Sequence, residues 1–391
     1  MGEISHDWIP DSDPAALIPR SASTSISQAD PMGAIAARLG RGPFAALTLF
    51  VSINADLPAI LSRARQLFPS CQVTGCTTGG EISAAGYDDD QIVAIAYPVS
   101  GFAAETVVID PVDAIDSRVV IGQLQRARLS LQQRAGGFPH ELGILLIDGL
   151  SGREEHVVAS LAGGLGPVPT VGGSAGDGRR FENTLVFADG RIHQRTAILT
   201  LLRARAGFRT FSYDSTRPSQ TRMVVTHADP AERAILRIND EPAAGEYARL
   251  LGRPTDSLGP HVFAVHPVLV RAGGRYHVRS IKAVRDDGAL IFFGAVAEGM
   301  VLTLSDESDL TGHLREVMAD LGRDERPGMI LGFDCIFRRI DAEARQKTGE
   351  MSQILRDNHV AGFSTFGEQF GAMHVNQTFT GVAFYGADGA P

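Results

Sequence analysis

Apolar and polar positions along the chain fall into one arrangement that occurs three times. Each copy has a buried apolar run, an amphipathic helix, a second short apolar run, a glycine-rich turn and a closing strand. In the first, FAALTLFVS (Phe44–Ser52) precedes a helix opened by Asp56 and Pro58, with Ile60, Leu61, Ala64, Leu67 and Phe68 on one face and Pro69 as its stop. QVTGCTTGGEI, a turn from Tyr87 to Asp90 and QIVAIAY (Gln91–Tyr97) complete it. The second starts with ELGILLIDG, and Ser151 with Glu154 has capping-box spacing for a helix that turns Val157, Val158, Leu161 and Leu165 inward. VGGSAGDG forms its turn, and Asp189-Gly190 within NTLVFADGRIHQRTAILTLL predicts a two-residue hairpin. The third starts with GMILGFDC, continues through a helix with Ala344, Met351, Ile354 and Leu355 on one stripe, and ends in VAGFSTFGEQF and NQTFTGVAFY. Further helices over Pro31–Leu39, about Ser117 to Gln133 and Leu310–Leu321 precede the three copies.

Consecutive strand–helix–strand units demand parallel pairs with helices packed outside, because a tight turn cannot join parallel strands. The predicted class is α/β, with mixed sheets built from repeated strand–helix–strand units and extended by antiparallel hairpins. After a strand from Met223 to Thr226 the text changes to a turn, a strand, the helix of INDEPAAGEYARLLG and then a β-rich stretch. That stretch comprises HVFAVHPVLV, YHVRSIKAV and GALIFFGAV, with bends at Gly273-Gly274 and Asp286-Asp287-Gly288. The shift puts a boundary between Asp229 and Arg237 and predicts two domains, 29–230 and 231–391. Residues 1–28 are polar, rich in Ser and Pro, and aperiodic, and read as a flexible arm or a strand added late to a sheet.

A chain of 391 residues suits two or three domains at roughly 150 residues each, and 44% apolar with 21% charged residues is an ordinary globular composition. The net charge of −9 argues against nucleic acid, since no positive field gathers phosphates. Three cysteines are too few for a secreted disulfide framework, and acidic residues and prolines stand where a signal peptide needs a basic and then an apolar run. The expected compartment is the cytoplasm. The uncharged run Val157–Gly176 is crowded with glycine and holds Pro167 and Pro169, so no membrane-spanning helix is expected.

The turns carry the candidate chemistry. Gly75-Cys-Thr-Thr78-Gly-Gly80-Glu81 and Gly362-Phe-Ser-Thr365-Phe-Gly367-Glu368 share G-x-x-T-x-G-E, and Gly173-Ser174-Ala175-Gly176-Asp177 is a looser version. Glycine admits close backbone approach, and Thr hydroxyls, carboxylates and freed N–H groups can converge on a small polar ligand where strands end. The same residues also serve a purely structural corner, with the acid holding backbone N–H groups, and recurrence alone does not choose between the two. The turns lack a Walker ending and lead into strands, which argues against a phosphate loop.

Other residues add smaller signals. Cys76 stands where copy two has Ser174 and invites a nucleophile reading, but no triad or G-x-S-x-G elbow accompanies it, and a buried thiol is its commoner state. His374 beside the third turn, and His261 and His266 in HVFAVHPV, are the histidines placed nearest a pocket. Arg279 could clamp a carboxylate or pair with Glu298, and Asp148 and Asp334 end strands where they could face a ligand or cap the next helix.

VGGSAGDGRRFENTLVFADGRIHQRTAILTLL, GCTTGGEI and GFSTFGEQFGAMHVNQTFTGVAFYG resemble the FIST sensory proteins, with an N-terminal and a C-terminal FIST half over about residues 30 to 388. The resemblance implies a cytoplasmic sensory protein of signal transduction that binds a small molecule, such as an amino acid, and acts through a partner or a homo-oligomer. Some members of similar length bind haem b, sense nitric oxide and regulate a partner histidine kinase. If this chain did so, His374 would be the axial ligand and His266 the second choice. The expected ligand lining is Gly75, Thr78, Glu81, Gly173, Ser174, Asp177, Arg279, Thr365, Gly367, Glu368, His374 and Asn376. The rival readings are an acyl-transfer or hydrolytic enzyme using Cys76 or Glu368, and a scaffold with no pocket.

Overall fold

Three parallel strand pairs form where the three copies predict them. The structure is a computed structural model that describes residues 17–306 and 309–386. The first repeat runs β1 (Arg20–Ser25), α1 (Pro31–Leu39), β2 (Phe44–Val51), α2 (Leu57–Leu67), β3 (Gln72–Thr77), β4 (Glu81–Ser83), β5 (Gly86–Asp88) and β6 (Gln91–Pro98). The second runs β7 (Phe102–Ile109), α3 (Ser117–Ala135), β8 (His140–Ile147), α4 (Glu154–Leu165), β9 (Thr170–Ser174), β10 (Val186–Ala188), β11 (Arg191–His193) and β12 (Ala197–Ala204). The third opens with β13 (Phe208–Asp214) and is then interrupted by β14 (Arg217–Asp229), β15 (Ala234–Ile238), β16 (Glu241–Pro242), α5 (Ala243–Leu251) and α6 (Pro260–Val265). The interruption continues through β17 (Val268–Ala272), β18 (Arg275–Arg279), β19 (Ile281–Val284), β20 (Leu290–Phe292) and β21 (Val301–Asp306). The repeat resumes with α7 (Leu310–Leu321), β22 (Met329–Cys335), α8 (Ile336–Ala344), α9 (Thr348–Asp357), β23 (Val360–Thr365), β24 (Glu368–Phe370), β25 (Met373–Val375) and β26 (Thr378–Phe384).

Each repeat builds four strands of its own sheet and sends its hairpin elsewhere. The sheet orders are β1-β6-β2-β3-β10-β11, β7-β12-β8-β9-β24-β25 and β13-β26-β22-β23-β4-β5. Hairpin β4–β5 therefore joins the third sheet, β24–β25 the second and β10–β11 the first, a cyclic exchange among the three. Only the pairs β2–β3, β8–β9 and β22–β23 are parallel within these sheets, and each is bridged by at least one helix.

One face of every sheet turns to a common interior, where Phe50, Cys76, Tyr97, Phe102, Ile144, Val171, Ile198, Phe333, Phe363 and Phe384 meet. Phe50 and Phe363 rings from two sheets stand 4.7 Å apart. The outer faces carry α1 and α2, α3 and α4, and α7 and α9, each over its own apolar layer. The interrupting segment forms an eight-stranded antiparallel sheet packed on α5, α6 and α8.

Residues 230–233, where the sequence puts a boundary, are the turn between the paired strands β14 and β15, and β13 pairs with β26 across the inserted sheet. Arg20–Ser25 is an edge strand paired with β6, the second of the two readings offered for the N-terminal segment, while residues 1–16 lie outside the described residues. Several local expectations need correction. Ser151 does not cap α4: Gly152 takes φ +67°, the helix begins at Glu154, and Ser151 Oγ accepts the Arg153 N–H at 3.3 Å. The third-repeat helix is two, broken at Gln346 with φ +58°. The first half of HVFAVHPVLV is helical, started by Pro260 in the first turn, where its fixed φ suits a helix.

Gly75, Gly172 and Gly362 hold one position in the three parallel pairs, opposite Leu49, Leu145 and Gly332. A Cβ on any of them would lie 1.8–1.9 Å from the carbonyl oxygen of its partner. Gly245, inside α5, has nothing within 4 Å of that position. We expect Gly75→Ala, Gly172→Ala and Gly362→Ala each to destabilise by several kcal/mol or prevent folding, and Gly245→Ala to stabilise by roughly 0.5–1 kcal/mol. Urea midpoints of the four variants check this.

Candidate functional site

The three glycine corners meet and hydrogen-bond to one another in a ring. Gly79 N–H donates to the Ser364 carbonyl at 2.8 Å and Ser364 N–H returns a bond to Gly80 at 2.7 Å. Ser174 N–H donates to Gly367 at 2.8 Å and Phe366 N–H to Ser174 at 3.1 Å. Gly176 and Gly178 N–H donate to Thr77 and Thr78, both at 2.9 Å. The backbones touch so closely that a Cβ on Gly176 would lie 2.5 Å from the Gly79 nitrogen, and Gly80 and Gly367 take φ +128° and +152°.

The acids of the shared motif serve this ring. Thr78 Oγ1 donates to Glu81 Oε1, while Glu81 Oε2 accepts the Gln91 N–H at 3.1 Å. In the third repeat Thr365 Oγ1 donates to Glu368 Oε1, and Glu368 Oε2 accepts the Thr378 N–H at 3.1 Å and hydroxyl at 2.7 Å. Each glutamate thus ties its corner to the first residue of the closing strand. Copy two is matched differently from the alignment read in the sequence: Gly172, not Gly173, is the counterpart of Gly75, and Val186 stands where the glutamates do. Gly173 packs under Thr365, and Asp177 accepts the N–H groups of Phe181, Glu182 and Asn183 at 2.7–2.8 Å. Gly75, Thr78, Glu81, Gly173, Asp177, Thr365 and Glu368 accordingly have their polar groups or contacts taken up within the protein.

Of the remaining expected residues, Arg279, His374 and Asn376 lie where the inserted sheet meets α4 and the β24–β25 hairpin, and Ser174 and Gly367, which belong to the ring, border that place. Gly367 lies beneath His374, and a Cβ there would sit 2.3 Å from the ring. Gln369 Nε2 donates to Ser174 Oγ at 2.9 Å and faces His374 Nδ1 at 3.4 Å, while Asn376 Nδ2 faces His374 Nε2 at 3.5 Å. The Cβ position of Gly294 has Arg279 Cδ at 3.3 Å, Glu155 Oε1 at 3.4 Å and Asn376 Oδ1 at 3.5 Å. Arg233, from the β14–β15 turn, ion-pairs with Glu154 at 3.0 Å and with Glu155, and donates to the Phe293 carbonyl. Arg279 does not pair with Glu298, which binds His227 at 2.6 Å. Buried Arg279 Nε, Ser280 Oγ, Gln369 Oε1 and Asn376 Oδ1 have no hydrogen-bond partner. Buried polar atoms are normally paired, and these four fall on adjoining elements. A cleft of about 140 Å³ opens beside Asn376, between β18 and the hairpin.

The sequence did not single out Glu155, Arg233, Ser280, Gln369 or Gly294. The paired acids at the start of α4 and the Gln following Glu368 were the signals available; nothing local announces Arg233 or Gly294, which arrive from the inserted sheet.

His374 is buried, and that burial drives its pKa down to about 4 against the pull of Glu155, so the ring is neutral. A neutral ring offers one N–H and one lone pair, and both nitrogens already face amides. With a cleft well below the roughly 300 Å³ at which drug-sized pockets begin, these residues do not fit a haem. His266 closes α6, its N–H donating to Val262 at 2.9 Å and its carbonyl accepting the Tyr247 hydroxyl at 2.6 Å. No cluster of His, Cys, Asp and Glu suited to a metal occurs among the described residues. Asp148 and Asp334 do not cap helices: Asp148 accepts Leu150 N–H at 3.0 Å and Thr184 Oγ1, and Asp334 accepts Arg338 Nε at 2.6 Å and the Tyr87 hydroxyl. Among the described residues no helix is long and apolar enough to cross a membrane.

Fold and site together define a three-repeat α/β domain with an inserted sheet closing a small polar junction. Residues 45–241 match the FIST N domain and residues 243–371 the FIST C domain, so the chain belongs to the FIST family. FIST domains are small-ligand-binding signalling domains. No curated protein matches the chain.

Two tests follow from the geometry. Burial raises Glu81 to about 7 and Glu368 to about 8, against the hydrogen bonds that favour their charged forms. Because the folded state holds these protons more tightly than the unfolded chain, their contribution is full below about pH 4.5 and is lost as pH rises to 7–8. Chemical denaturation across that window should show falling stability, and a Glu81→Gln/Glu368→Gln variant a flatter profile; an unchanged slope contradicts the assignment. Cys76 is fully buried, and burial followed by the Glu81 charge puts its thiol far above the usual range, while half-buried Cys71 is raised by burial to about 12. A maleimide should therefore modify Cys71 slowly and Cys76 only on unfolding, whereas rapid reaction of Cys76 near neutral pH would favour the enzyme reading.

Proposed function

We propose that this protein is a cytoplasmic sensor that binds a small zwitterionic molecule, an amino acid or a close analogue, where the inserted sheet meets α4 and β24–β25. The observation that carries the reading is the group of unpartnered buried atoms, Arg279 Nε, Ser280 Oγ, Gln369 Oε1 and Asn376 Oδ1. Two are donors from the inserted sheet, and two are amide oxygens from the third repeat's hairpin. A carboxylate satisfies the first pair, and an ammonium group takes one amide oxygen with Glu155 adding its charge, the other amide oxygen accepting the single N–H of the neutral His374 ring. Gly294 lies among these groups, where even a Cβ would sit 3.3–3.5 Å from Arg279, Glu155 and Asn376, and the cleft beside Asn376 is the way in.

Such a ligand bridges two bodies of the fold, which is what a signal requires. A ligand shifts an equilibrium only by its difference in affinity between two states. One that ties the inserted sheet to α4 binds the docked arrangement more strongly than any arrangement in which they separate. Arg233 already spans that junction through Glu154 and Glu155, so occupancy is felt at the start of α4. The receiver is a partner protein, a histidine kinase or another signalling component.

Thermal-shift measurements against single amino acids test this. A ligand at about 100 times its Kd should stabilise by roughly 2.7 kcal/mol. Arg279→Ala should abolish the shift and leave the unliganded melting temperature within a few degrees. The proposal fails if no amino acid shifts the transition, or if Arg279→Ala and Asn376→Leu both respond like the parent.

A further inference from the structure

The hairpin that each repeat lends to its neighbour sits beside a helix, and two of the three junctions are filled. Over β4–β5 lie α8 and α9: Tyr87 N–H donates to Ser352 Oγ at 3.2 Å, and Arg339 donates to the Asp88 carbonyl at 3.0 Å. Over β24–β25 lie α4 and the inserted strand β18. The corresponding place at β10–β11 is open. A groove of about 810 Å³ runs between this hairpin and α2, floored by Leu61, Phe68 and Val73, with Ile192 on its rim. Ile192 is 39% exposed, and β11 is the end of its sheet, so its outer edge has no partner strand among the described residues.

The charges here are also unbalanced. Arg65 lines the groove and Arg191 lies on β11, both exposed and neither in a hydrogen bond or ion pair among the described residues. Asp189 is the groove's one acidic lining residue. On a chain of net charge −9, two free guanidinium groups beside an apolar hollow select an acidic partner.

We propose that this groove receives an extended segment of a partner protein. The segment adds as a strand to β11, sets apolar side chains on Leu61 and Phe68, and presents carboxylates to Arg65 and Arg191. This surface is separate from the ligand junction, so it stands or falls independently of the ligand's identity.

Fluorescence anisotropy with two labelled peptides tests it on the full chain. One alternates valine and glutamate, and the other has lysine in place of glutamate. The glutamate peptide should bind roughly tenfold more tightly at low salt, and the R65E/R191E variant should reverse that preference. Ile192→Asp should weaken binding of either peptide. All three positions are exposed, so an unchanged melting temperature will show that the variants fold. Equal binding of both peptides, no binding of the glutamate peptide, or an unaltered preference in R65E/R191E overturns the proposal. So does a dimer, seen by sedimentation and lost in Ile192→Asp, which would give the groove to a second copy.

Discussion

An unpaired strand edge is the constraint on which this architecture depends. Strands β3, β9 and β23 each end the part of a sheet that their own repeat can build, and each would expose a row of N–H and carbonyl groups. The exchange of hairpins closes all three at once. It also explains the crowded glycines: chains leaving β3, β9 and β23 for another sheet must pass one another at a single place, and only backbones without side chains pass at hydrogen-bond distance. Removing one crossing removes the edge cover of a second repeat, so the three are expected to fold as a unit despite the length of chain that separates them.

The exchange also places the inserted sheet. The third repeat's hairpin lies on the second repeat's sheet, so a segment inserted in the third repeat is carried to α4 of the second. The polar junction of Arg279, Glu155, Gln369, His374 and Asn376 arises there, from elements more than two hundred residues apart in some pairs. By contrast, the corner glutamates spend their hydrogen-bonding capacity on the fold: each accepts a strand-initiating N–H and the hydroxyl of the motif threonine, and Glu368 also accepts the Thr378 hydroxyl.

Much of the fold was legible because it is local. Periodicity located α1, α7 and the three strand–helix–strand units, and the Asp189-Gly190 bend appears with both residues at positive φ. What escaped depends on distance. No local signal says that Glu81 will lie beside Phe363, or that Val186 will take the place of a glutamate. The shared G-x-x-T-x-G-E text left two readings open, a ligand lining and a structural corner, and the two glutamates accept the protein's own N–H groups. Arg279, His374 and Asn376 were recognised as polar residues near strand ends, whereas Arg233 and Gly294 matter only through the packing of one sheet on another.

The central claim is that the junction between the inserted sheet and α4, not the ring of corners, is where a small molecule acts. Hydrogen exchange of the full chain, with and without a stabilising amino acid, tests this most directly. Added protection should appear in residues 278–281, 293–296 and 369–376 and at the start of α4, with the corner segments 75–81 and 362–367 unchanged. Protection confined to the corners, or no local change on ligand addition, would contradict it.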